Sequence, residues 1–94
     1  MSSQDEGMGY EKIVLEKSDQ VSGLLESRHI SDDEVRIVIY NAETTGEKLY
    51  QPGTDRLLAK LKIANATFYA EYSPASEGTY VVHTAYSHRT TLEE

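Results

Sequence analysis

Ninety-four residues carry nine basic and sixteen acidic side chains, a formal net charge of −7, with 38% hydrophobic and 27% charged positions. That length supports one hydrophobic core and excludes a second domain, and the composition is that of a soluble globular chain rather than a disordered one. The absence of cysteine excludes disulfides, thiolate-ligated clusters and a thiol nucleophile.

No apolar run approaches the roughly eighteen residues needed to cross a bilayer. The acidic first ten residues do not read as a secretory n-region. A cytoplasmic protein without a membrane partner is therefore expected. The charge is uneven: residues 1–47 hold four basic and eleven acidic side chains, and 48–94 hold five of each. Neutralising phosphates is the main source of affinity for nucleic acid, so no nucleic-acid partner is expected of so acidic a chain. Arg56, Lys60, Lys62 and Arg89 read as solvated strand-face charges.

Residues 1–9 lack periodicity and read as a tail, 10–90 as a single domain, and 91–94 as a second tail. Ile13-Val14-Leu15 is too short an apolar run for periodicity to decide between strand and helix entry. Ser18-Asp19 predicts an N-cap and first turn, with Val21, Leu24 and Leu25 at helical spacing behind it; Gly23 keeps that helix short. The strongest local signal is Ile30-Ser31-Asp32-Asp33-Glu34-Val35. Ser31 and Glu34 form a capping box, and Ile30 and Val35 are spaced as its hydrophobic staple. Asp32 and Asp33 favour the positive end of the helix dipole. Val35, Val38, Ile39 and Ala42 make one apolar stripe, and Gly46 suits a left-handed cap.

Beyond Gly46 the period changes to about two. Lys48 to Gln51 is a short strand, and Pro52-Gly53 places proline and glycine as a type II turn requires. Leu57, Ala59, Leu61 and Ile63 alternate with Arg56, Lys60 and Lys62. Ala64-Asn65 turns the chain; Asn65-Ala66-Thr67 matches a glycosylation pattern but reads as that turn. Thr67 to Tyr72 sets Phe68, Ala70 and Tyr72 on one face and Thr67, Tyr69 and Glu71 on the other. After a loop from Ser73 to Gly78, Thr79 to Arg89 is the last strand. The fold class is α+β: two N-terminal helices packed on one face of a three- or four-stranded antiparallel meander.

Chemistry concentrates in the last strand. Regular alternation sets Tyr86 and His88 with Tyr80, Val82 and Thr84, and sets His83, Ser87 and Arg89 with Val81 and Ala85. The two histidines then point apart, and with His29 the only other one, no metal site is expected. An acid/base role for His83 or His88, with Tyr86 and Arg89 as donors, competes with a packed and a solvated histidine, and the second reading is preferred. Seven tyrosines against one phenylalanine predict cross-strand pairs among Tyr69, Tyr72, Tyr80 and Tyr86, or a partner surface. No phosphate loop, dinucleotide fingerprint or nucleophile elbow is present, and no cofactor is expected.

The run Ser27-Arg28-His29-Ile30-Ser31-Asp32-Asp33-Glu34-Val35, the aromatic strand Thr67 to Tyr72 and the terminal Thr84-Ala85-Tyr86-Ser87-His88-Arg89 carry a resemblance over about residues 24–90. The chain resembles small domains that accompany flavin and iron–sulfur oxidoreductases of anaerobic bacteria, enzymes similar to the small subunit of glutamate synthase. That resemblance implies an accessory, docking role beside a redox enzyme. The helix-then-meander order is also similar to RelE and BrnT toxin ribonucleases, which would make His83, Tyr86, His88 and Arg89 the matching catalytic positions. Such toxins are basic, and this chain is not. The expectation is a non-enzymatic protein-binding domain that contacts its partner through Tyr69, Tyr86, His88 and Arg89.

Overall fold

The structure is a computed structural model that describes residues 9–89. The two predicted tails lie outside the described residues, except Gly9, which opens a 3-10 turn over Gly9–Lys12. Strand β1 (Val14–Glu16) follows, then helices α1 (Asp19–Ser27) and α2 (Asp32–Thr45). Strands β2 (Lys48–Tyr50), β3 (Leu57–Ile63), β4 (Ala66–Pro74) and β5 (Thr79–Arg89) complete the domain.

Both helices start as their sequences dictate. Ser18 Oγ accepts the Val21 N–H at 3.1 Å. At α2 the capping box is closed in both directions: Glu34 N–H donates to Ser31 Oγ at 3.1 Å, and Ser31 N–H donates to Glu34 Oε1 at 2.9 Å. Ile30 and Val35, the staple pair, are both buried, as are Val38, Ile39 and Ala42 along the stripe. Gly46 ends the helix at φ 80°, its N–H donating to the Ala42 carbonyl. Replacing Ser31 by alanine removes the acceptor for an otherwise unpaired helical N–H and is expected to cost about 0.5–2 kcal/mol. A urea midpoint equal to that of the wild type would show that the box carries no stability.

The sheet departs from the predicted meander. It has five strands in the order β1-β5-β4-β3-β2, and β1 runs parallel to β5, pairing Val14 with Thr79 and Glu16 with Val81. The undecided run at 13–15 is thus an edge strand, joined to the last strand in sequence. Such a pairing is non-local and leaves no periodic signature in three residues. The remaining four strands form the antiparallel meander expected of them.

The tight β3–β4 turn holds Ala64 at φ 58°, a left-handed conformation that crowds a Cβ against the following carbonyl. Ala64→Gly is expected to raise stability by about 1 kcal/mol. An unchanged or lowered melting temperature would contradict that account of the turn.

The core lies between the helices and one face of the sheet, where Leu25, Val38 and Ile39 meet Ala59, Ala70 and Val82. α2 packs on β3 and β4, and α1 on β5. The sheet's other face is left without a covering layer among the described residues. No described helix is long and apolar enough to cross a membrane.

Candidate functional site

Which residues reach the uncovered face depends on an irregularity in β5. Its pairing with β4 shifts between Glu71 and Tyr72: Thr84 faces Glu71, yet Val82 faces Tyr72, so His83 is an extra residue. This β-bulge resets the alternation. Val82 and Ala85, predicted on opposite faces, are both buried in the core at 2% exposure. The strand-face assignment from regular alternation is therefore corrected. Tyr80 and Val82 belong to the core side, while Thr84, Tyr86 and His88 belong to the uncovered side.

Three cross-strand rows build that side. Leu49, Leu58, Glu71 and Thr84 stand in register across β2 to β5; then Lys60, Tyr69 and Tyr86; then Lys62, Thr67 and His88. Tyr69 and Tyr86 stack with ring centroids 4.8 Å apart and planes 16° from parallel. Two rings that close cannot lie side by side in one plane, so they stand face to face. Leu49 is 67% and Tyr86 38% exposed. Between β2 and β4 the face sinks into an open depression of about 460 Å³, walled by Leu49, Leu58, Lys60 and Tyr69 with Glu47 on its lining.

Of the predicted contact residues, Tyr69, Tyr86 and His88 come together on this face. Arg89 does not: it pairs across from buried Ala66 and projects to the other side. The predicted tyrosine pairing is present as two pairs on opposite faces, Tyr69 with Tyr86, and Tyr72 with Tyr80 edge to face at 5.5 Å.

His83 lies apart from His88. Its Nε2 is 2.7 Å from the hydroxyl of buried Ser73, which donates to Asp55 Oδ1 at 3.1 Å. In a hydrolytic triad the acid contacts and orients the histidine; here Asp55 meets the serine instead. The chain Asp55–Ser73–His83 ties the β2–β3 loop to the bulge. Among the described residues no three His, Asp or Glu side chains converge as a metal site. The four residues that the toxin resemblance would make catalytic are thus divided among the bulge, the uncovered face and the core side.

Three further polar contacts escaped the sequence reading. Tyr72 donates to Glu43 Oε2 at 2.6 Å, and Lys48 Nζ reaches the same oxygen at 3.0 Å. Burial first, and then the bond to Glu43, raises the Tyr72 phenol pKa well above its ordinary value; burial followed by the Glu43 charge raises that of Tyr80. Arg28 Nη1 donates to the Ala85 carbonyl at 2.8 Å, covering the β5 edge that short β1 leaves open. These arginine and tyrosine contacts are structural.

The geometry defines an α+β domain with a half-covered sheet, its open face carrying two leucines and a stacked tyrosine pair among charged and hydroxyl side chains. Comparison with family models, with curated proteins and with solved structures returns no match.

Proposed function

We propose that the chain is a non-enzymatic protein-interaction domain and that the uncovered sheet face is its contact surface. The observation that carries this reading is the row Lys60–Tyr69–Tyr86, with exposed Leu49 and half-buried Leu58 beside it, on a face opposite both helices. An apolar patch with tyrosine at its centre and polar groups at its rim is the composition of a protein contact. The dispersal of His83, His88 and Arg89 supports a surface role over a reaction. The resemblance to domains beside flavin and iron–sulfur oxidoreductases makes a cytoplasmic redox enzyme the first partner to try. Nucleic acid is not part of this reading, since the stacked pair hides one face of each ring and few cations line the surface.

Affinity capture from the source cells, followed by titration of the recovered partner, tests it. Tyr86→Ala and Leu49→Asp are expected to weaken binding by about 1–3 kcal/mol, with Glu26→Ala on exposed α1 unchanged. Melting temperatures recorded in parallel separate lost contact from lost folding. Weakening by Glu26→Ala alone would move the contact to the helical side.

A further inference from the structure

The three rows of the proposed contact face do not share the acidity of the chain as a whole. Seven of the helical residues are charged and six of those are acidic: Asp19, Glu26, Asp32, Asp33, Glu34 and Glu43. The uncovered face instead presents exposed Lys60 and Lys62 beside the tyrosine pair. Neither lysine has an ion-pair partner among the described residues. Its acidic member in these rows, Glu71, is already engaged by Gln51 at 2.6 Å and by Arg56 at 3.5 Å. Glu47 is the one carboxylate on the lining of the depression.

Resting on the contact-surface reading above, we infer that the occupant of this face is an acidic protein segment with an apolar anchor. The depression between Leu49, Leu58 and Tyr69 is large enough to take an aliphatic or aromatic side chain. Carboxylates flanking that anchor would lie over Lys60 and Lys62, two residues apart on one strand and therefore on one side of the sheet. The unpaired ammonium groups favour such a segment over a basic one, and two copies meeting through this same face would set Lys60 and Lys62 against like charges. A nucleic-acid strand fits less well. Two lysines release few counterions, and the stacking of Tyr69 on Tyr86 takes up one face of each ring that a base would otherwise use.

Fluorescence anisotropy of the full chain with three labelled probes tests the inference. The probes are a short peptide alternating glutamate with leucine, the same peptide with lysine for each glutamate, and oligothymidylate. The acidic peptide is expected to bind about tenfold more tightly than the basic one, a preference that shrinks as salt rises. The Lys60→Glu/Lys62→Glu variant should reverse the preference, and Lys60→Gln/Lys62→Gln, the milder change should the reversal unfold the chain, should abolish it. Equal binding of both peptides, lost in Leu49→Asp, would overturn the acidic partner while leaving the contact surface standing. Absence of binding by the acidic peptide, tighter binding of oligothymidylate, or a dimer in sedimentation that the lysine variants dissolve would each overturn it as well. The captured partner and its Tyr86→Ala titration decide the contact surface independently.

Discussion

Tyr72→Ala is expected to destabilise the domain by about 3–5 kcal/mol, the cost of truncating a fully buried aromatic. The side chain is 0% exposed, packs edge to face on Tyr80 and donates to Glu43. Against a total stability of about 5–15 kcal/mol for a small domain, that loss places the variant near the threshold of folding. Tyr72→Phe keeps the ring and removes only the bond to a charged acceptor, expected to cost about 1.5–3 kcal/mol; Lys48 still neutralises Glu43.

The same phenol sets an alkaline limit. Its pKa is raised on folding, so its contribution is fully present below the unfolded value of about 10. Above that pH the unfolded chain releases a proton that the folded chain retains, and stability falls. Denaturation midpoints measured from pH 8 upward should decline past about pH 10, and Tyr72→Phe should flatten the decline, with the raised pKa of Tyr80 supplying what remains. An identical alkaline slope in the variant would contradict the assignment.

Deleting His83 is the second large effect. Without the extra residue β5 returns to plain alternation, and Val82 and Ala85 cannot both face the core. Slipping one segment of a strand by one residue turns each of its side chains to the other face. Turning Val82 and Tyr80 out of the core is expected to cost about 3 kcal/mol or more. His83→Ala preserves the residue count and loses only the contact with Ser73, at about 0.5–1.5 kcal/mol. If chemical denaturation gave the same loss for deletion and substitution, the bulge would not be what orients the strand.

The elements legible in the sequence are those decided by neighbours in the chain. Helix α2 is specified within sixteen residues by Ser31, Glu34, the Val35–Ala42 stripe and Gly46, each group acting over one or two turns. Alternation along β4 likewise separates Tyr69 from Tyr72, whereas the division into a Tyr69–Tyr86 and a Tyr72–Tyr80 pair needs the bulge that sets Tyr80 and Tyr86 on opposite faces. What escaped is non-local. Val14–Glu16 becomes a strand only because Thr79–Val81 offers it an edge. No residue type at 83 announces a bulge, since the irregularity exists only in the pairing with Glu71 and Tyr72. From that one shift follows the wrong side for Tyr80 and Val82. Arg89 lies on the face opposite Tyr86 by plain alternation, with or without the bulge, so placing both on one contact surface conflicts with the strand period itself. Leu49, Leu58 and Lys60 leave no joint signal in the sequence, because their neighbourhood with Tyr69 is set by register across three strands.

The contact surface itself is tested most directly by backbone amide shifts of the labelled domain on titration with the partner recovered by capture. Shifts concentrated at Leu49, Leu58, Lys60, Thr67, Tyr69 and Tyr86 are the expected result, with α1 and the solvent side of α2 unmoved. A footprint on the exposed positions of those two helices, with the tyrosine row silent, would contradict the account.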